Sequence, residues 1–227
     1  MPRILQFLGD SHLNAIEHAI EAGLFVPYQC RSKKVPGATA VGLRHPTSKT
    51  QALPYFRGRL AKVDPAIVPI FQLGEVDCGF VIWVRAQRHG ESVEAQLTAS
   101  LDAYVAFLVE VRAMGYRDVI VTSAILPTIR DGELDGEVAH LRREVEADHR
   151  TRTNLTLRYN AELALRVRDA GCHFVDLTPD LIDPATGLIS ERFRHFDIRD
   201  HHLDPLTAGP VWARRLLPVI DGLPPLP

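Results

Sequence analysis

The sequence predicts an α/β fold in which a central parallel sheet is covered by helices on both faces, a three-layer α/β/α sandwich. Three observations predict it. Short apolar runs alternate with amphipathic stretches from one end of the chain to the other. The best helical stretches carry their own start and stop signals, with Ser92 before one and Gly23, Gly115 and Gly171 just past three. Finally, 227 residues suffice for one substantial core, and neither an internal repeat nor a low-complexity tract divides them, so one domain spanning 1–227 is expected.

The elements follow in order. Arg3 to Leu8 reads as a buried strand, and His12 to Ala22 as a helix with Ile16, Ala19 and Ile20 on one face, stopped by Gly23. Ala66 to Leu73, AIVPIFQL, is an apolar run between Pro65 and Gly74; Pro69 inside it lacks a ladder donor and predicts an edge or a bulge. Ser92 to Met114 gives the longest helix, with Val93, Leu97, Leu101, Tyr104, Val105 and Leu108 at intervals of one to four. Asp118 to Leu126 is a β-branched strand that stops at Pro127. Thr153 to Ala170 is a helix and Cys172 to Leu177 a short strand. Thr207 to Ile220 closes the chain as a helix whose length Pro210 and Pro218 limit. Arg130 to Arg150, dense in both charge signs, reads as a solvated surface helix with its approach loop, the alternative being a lid.

Composition excludes several function classes. A hydrophobic content of 46%, a charged content of 24% and a formal net charge of −2 do not describe a nucleic-acid binder or a disordered chain. Ile4 to Leu8 is too short for a signal-peptide core, and no stretch approaches the roughly 20 apolar residues of a bilayer span, so a cytoplasmic protein without a membrane partner is expected. Cys30, Cys78 and Cys172 lack paired CxxC spacing and are expected to be reduced, buried and structural. No glycine-rich phosphate loop is present, and no cofactor is expected. A basic cluster of Arg31, Lys33, Lys34, Arg44, His45 and Lys49 reads as solvated surface, or as a rim that attracts an anion.

The chemistry concentrates in two places. Ligands of parallel α/β sheets gather beyond the carboxyl ends of the strands, where Gly9-Asp10-Ser11 must lie between the first strand and its helix. A serine there fits two roles, a nucleophile at the positive end of the helix or its N-cap. Hydroxyl nucleophiles need a base and an orienting group. The densest supply is HFDIRDHHLDP, His195 to Pro205, just before the last helix.

Together these blocks resemble the SGNH (GDSL-type) hydrolase superfamily, over nearly the whole chain. Gly9-Asp10-Ser11 matches its first block, Val35 to Leu43 (VPGATAVGL) its second, and Leu73 to Gly79 (LGEVDCG) its third, although Val76 stands where the third block has asparagine. The last block departs as well: Arg199 lies three before His202 and Ile198 three before His201, whereas Asp200 precedes His202 by two, a D-x-H spacing similar to that of alginate-type acetyltransferases. The resemblance implies a flavodoxin-like α/β/α sandwich with Ser11 as nucleophile, His202 as base and Asp200 as its orienter, His201 and Asp197 being substitutes. It also implies an oxyanion hole from the N–H groups of Ser11 and Gly37, because Val76 cannot donate. Asp10, His12, Glu75, Asp77 and His201 are expected to line the site. Glu75 would add a third donor only if protonated; ionised, it would oppose the oxyanion.

The expected activity is a serine esterase acting on O-acyl, and foremost O-acetyl, esters of a carbohydrate or small molecule. The alternative is an SGNH-type O-acyltransferase using the same acyl-serine. Two further classes remain behind it. One is a metal-dependent hydrolase, for which His195, Asp197, Asp200, His201, His202 and Asp204 are all potential ligands, although adjacent histidines on an extended segment face opposite ways and no metal is expected. The other is a binding domain that has lost activity with the asparagine.

Overall fold

The computed structural model describes residues 3–133, 138 and 142–226. Five parallel strands form one sheet: β1 (Ile4–Gly9), β2 (Gln29–Lys34), β3 (Ile67–Gln72), β4 (Ile120–Thr122) and β5 (His173–Val175), in the order β2-β1-β3-β4-β5. The strand order reverses at β1, with β2 added on one side and β3 on the other, which places the switch point beside the end of β1.

Alternate strand residues feed two cores. Leu8, Phe71 and Val121 point to one face, where they meet α2 (Ala52–Leu60), α3 (Ile82–His89), α4 (Val93–Ala113) and α5 (His149–Asp169) through Phe56, Ile82, Tyr104 and Tyr159. Leu5, Phe7, Ile70 and Ile120 point to the other, where α1 (Asn14–Glu21) and α7 (Pro205–Asp221) supply Ile16, Ala19, Trp212 and Leu216; a short α6 (Thr178–Leu181) adds Leu181. The three-layer sandwich is therefore as expected. Among the described residues no helix is long and apolar enough to cross a membrane.

Several local expectations are corrected. Pro69 lies in the central strand, not at an edge. Ala66 and Gln72 turn their carbonyls to β1, so the alternate residue Pro69 turns its nitrogen to the β4 side, ahead of the first β3–β4 pair, Ile70 with Ile120. The first helix starts two residues late, because Ser11–Leu13 form a 3₁₀ turn. Helix α5 starts at His149, capped by Asp148, instead of at Thr153. Helix α7 is capped by Asp204 and runs through Pro210 and Pro218, held by burial of Val211, Trp212, Leu216 and Ile220. Cys78 and Cys172 are buried, but Cys30 is half-buried on β2; all three are free. Within the basic cluster, Lys34 is neutralised by Glu17 at 2.6 Å and donates to Asn14 at 2.7 Å.

The segment 130–150 is not simply solvated. Residues 134–137 and 139–141 lie outside the described part, but Arg142 is 7% exposed and His149 6%. Both turn inward, and Arg142 enters the site.

Candidate active site

Strand β1 delivers Gly9, Asp10 and Ser11 to the carboxyl edge of the sheet. A Cβ at Gly9 would lie 2.3 Å from the Gln72 carbonyl oxygen, so only glycine lets β1 end this close to β3. Asp10, extended and fully buried, caps the 3₁₀ turn: its Oδ1 accepts the His12 N–H at 2.8 Å and meets His12 Nδ1 at 3.1 Å. Capping thus falls to Asp10. Ser11 is left partly exposed, with no hydrogen bond to its hydroxyl among the described residues.

The opposite wall is the loop before α7. Asp200 Oδ1 accepts the His202 N–H at 2.9 Å and lies 2.6 Å from His202 Nδ1, which fixes the ring and leaves the buried Nε2 without a partner. Burial and the nearby His12 hold the His202 imidazole below the usual histidine range, against the pull of Asp200. His201 is pushed down to about 3, by burial first and then by His12. Asp197 is taken by Arg199, which donates from Nε at 2.9 Å and from Nη2 at 2.7 Å; these bonds hold its carboxyl down to about 2. The two walls touch. The His12 ring lies 4.9 Å from the His202 ring and 5.6 Å from that of His201.

The third side comes from the loop after β3. Glu75, 1% exposed, accepts two bonds from Arg142 at 2.6 and 2.7 Å, and its other neighbour is His12 Nε2 at 3.8 Å. Burial alone would raise the Glu75 carboxyl, but Arg142 and then His12 outweigh it and hold it far below the carboxylate range. Glu75 is therefore ionised and is no oxyanion donor. Asp77, fully buried, accepts the N–H groups of Ala40 at 2.7 Å and Val41 at 2.9 Å and the Ser100 hydroxyl at 2.7 Å. Its work is to tie the third block to the loop after β2, and burial raises its pKa despite those donors. Val76 between them is half-buried.

Gly37 occupies the turn Val35–Ala38 with φ +70°, a conformation that favours glycine after Pro36. Val35 donates to the Gly9 carbonyl at 2.9 Å, which sets this turn beside the end of β1; Gly37 itself is exposed. For a metal, Asp200, His201 and His202 bring donor atoms within 4.8 Å of one another, the one such group among the described residues, but Asp200 Oδ1 and His202 Nδ1 already engage each other.

Of the residues singled out in sequence, the fold gathers Asp10, Ser11, His12, Glu75, His201 and His202 at one place, with Asp200 behind His202. It assigns Asp77 to the scaffold. Arg142 was missed. A buried glutamate demands a cation, yet nothing in a segment crowded with arginines says which one supplies it.

No protein-family profile and no curated protein matches the chain. Solved structures do. A GDSL-like lipase from Bacteroides thetaiotaomicron superposes with a TM-score of 0.62 at 13% identity, over 96% of this chain and 88% of that one. An acetyl xylan esterase gives 0.56 at 14% identity, over 96% and 99%. A mutant of an acetyl-xylooligosaccharide esterase from Geobacillus gives 0.54 at 13% identity, over 99% and 96%. At such identities the likeness shows the fold alone: this chain shares the α/β/α sandwich of these GDSL-type esterase and lipase structures.

Proposed function

We propose that the chain is a serine esterase that removes O-acyl groups, foremost O-acetyl, from a carbohydrate or other small-molecule ester. The observation that carries this reading is the junction of the two walls: His202, oriented by Asp200 at 2.6 Å with Nε2 unpartnered, packs on the residue next to Ser11. Two structural neighbours, an acetyl xylan esterase and an acetyl-xylooligosaccharide esterase, support the acyl group and the carbohydrate.

In this reading Ser11 Oγ attacks the ester carbonyl while His202 Nε2 takes its proton, and Asp200 stabilises the imidazolium that forms. His202 is neutral near pH 7, as a base must be, because burial and His12 hold it low. The oxyanion is received by the N–H groups of Ser11 and Gly37, with no help from the ionised Glu75. Collapse expels the alcohol, which takes the proton back from His202, and leaves acyl-Ser11. Water, activated by His202, then releases the acid. A sugar hydroxyl in place of that water would give the O-acyltransferase.

The test is turnover of an aryl acetate with a chelator control and with sugar acceptors added. Wild-type protein is expected to hydrolyse the ester, unaffected by the chelator, and to carry a covalent acetyl group on Ser11 by mass spectrometry. Ser11→Ala should lose both while unfolding as cooperatively as wild type, since a turn residue contributes little buried area. Activity retained in Ser11→Ala would overturn the serine mechanism.

A further inference from the structure

The chain contains two Asp-x-His turns with one geometry. In each, the aspartate accepts the backbone N–H of the histidine two residues on, at 2.8 Å for Asp10–His12 and 2.9 Å for Asp200–His202. The same oxygen meets the ring Nδ1, at 3.1 and 2.6 Å. Both Nε2 atoms are buried and lack hydrogen-bond partners, and the rings lie 4.9 Å apart. One feature separates them. His202 has a single adjoining carboxylate, whereas His12 sits between two, with Glu75 Oε2 at 3.8 Å from its Nε2.

We infer that His12 is a positioning residue for His202: clamped between Asp10 and Glu75, it stays protonated, and its charge keeps the ring beside it neutral and ready to accept a proton. The inference rests on the serine-esterase reading for its purpose but not for its measurement.

The charged groups around His12 come from four parts of the fold. Asp10 lies on its own turn and Glu75 on the loop after β3. Arg142 lies behind Glu75, and His201 and His202, with Asp200 behind them, form the opposite wall. Burial opposes a charge on His12, but Asp10 and Glu75 outweigh it, and Arg142 takes back only part of their pull. Arg142 binds Glu75 with both terminal nitrogens, so it holds the glutamate ionised at the distance that His12 needs. His202 then faces a neighbouring cation across a water-poor contact, and adding a second proton there is disfavoured. His201 is subject to the same neighbour.

The experiment is a pH titration of the histidine ring signals by NMR, assigned among the ten histidines with His201→Gln and His202→Gln. In the unmodified chain His12 should still be protonated at the pH where His202 has become neutral. In His12→Gln, which keeps a polar side chain without the charge, the His202 midpoint should rise by roughly one unit or more, as expected for a like charge removed from within about 5 Å. His202 losing its proton after His12 in the unmodified chain, or an unmoved or lowered midpoint in a folded His12→Gln, overturns the proposal. The first measurement needs no substitution at His12 and decides the matter if His12→Gln does not fold. Neither readout uses turnover, so a chain that titrates in this order yet never acylates Ser11 would refute the esterase alone. Where aryl acetate is turned over, the acid limb of kcat/KM should move up by the same amount in His12→Gln; a merely structural role would lower the profile without moving that limb.

Discussion

Replacing Arg142 with methionine should destabilise the fold by about 3 kcal/mol, the lower end of the cost of leaving one member of a buried ion pair alone. The magnitude follows from the surroundings. Glu75 is 1% exposed and holds Arg142 at 2.6 and 2.7 Å, so its charge has no route to water once the guanidinium is gone. His12 at 3.8 Å is a partial replacement cation, which places the loss toward 3 kcal/mol instead of 5. For a chain of 227 residues this is a fall in Tm of about 6–12 °C. Denaturant unfolding of Arg142→Met, Glu75→Leu and the double variant measures it. The double variant, with no charge left to strand, should recover most of the loss, giving a coupling of about 2 kcal/mol or more. A cost below about 1 kcal/mol for Arg142→Met, or losses that simply add, would mean that water reaches the pair and that Arg142 is an ordinary surface residue.

The remaining predictions concern the site and its protons. Asp200→Asn should lower aryl-ester turnover by about four orders of magnitude, as loss of the orienting carboxylate does in serine enzymes, and Asp197→Asn by less than about tenfold; the reverse ranking in steady-state kinetics would move the orienter to Asp197. Val76 is half-buried, so Val76→Asn should raise turnover with stability within about 1 kcal/mol of wild type, whereas lost stability without a gain in rate would reject it as a vacated donor position. His201 and His202 are held below the ordinary value of 6.5, so their contribution to stability fades as pH falls through and below it; His12 is held above, and its contribution fades as pH rises beyond 6.5. Melting curves across pH should therefore show these groups favouring a maximum near neutrality, with His201→Gln flattening the acid side.

How much of this was legible in the sequence depended on the range of the interaction. The strands β1, β3 and β4 announce themselves as apolar runs because both faces of the sheet are covered there, and β5, at the far edge, shows only through Phe174 and Val175. Strand β2, QCRSKK, does not: it is an edge strand with its side chains half-buried or exposed, so it satisfies the ladder without an apolar pattern and reads as a basic cluster. Pro69 misleads for a related reason. What matters is the direction of one backbone nitrogen, and that depends on where the neighbouring strand begins, which the proline cannot reveal.

The site divides along the same line. Asp10–His12 and Asp200–His202 are each closed over two residues, so the D-x-H spacing already contains the hydrogen bond, and the residue types suffice to suggest it. Glu75 and Arg142 are 67 positions apart, and their contact exists only because 130–150 folds back over the loop after β3. Yet that distant pair decides the chemistry of the local ones. It holds Glu75 as an ion, which cannot donate, and sets it 3.8 Å from His12, whose ring lies against that of His202. A reading confined to the motif blocks finds the serine, the histidine and the aspartate; the charge state proposed for them rests on a residue outside every block.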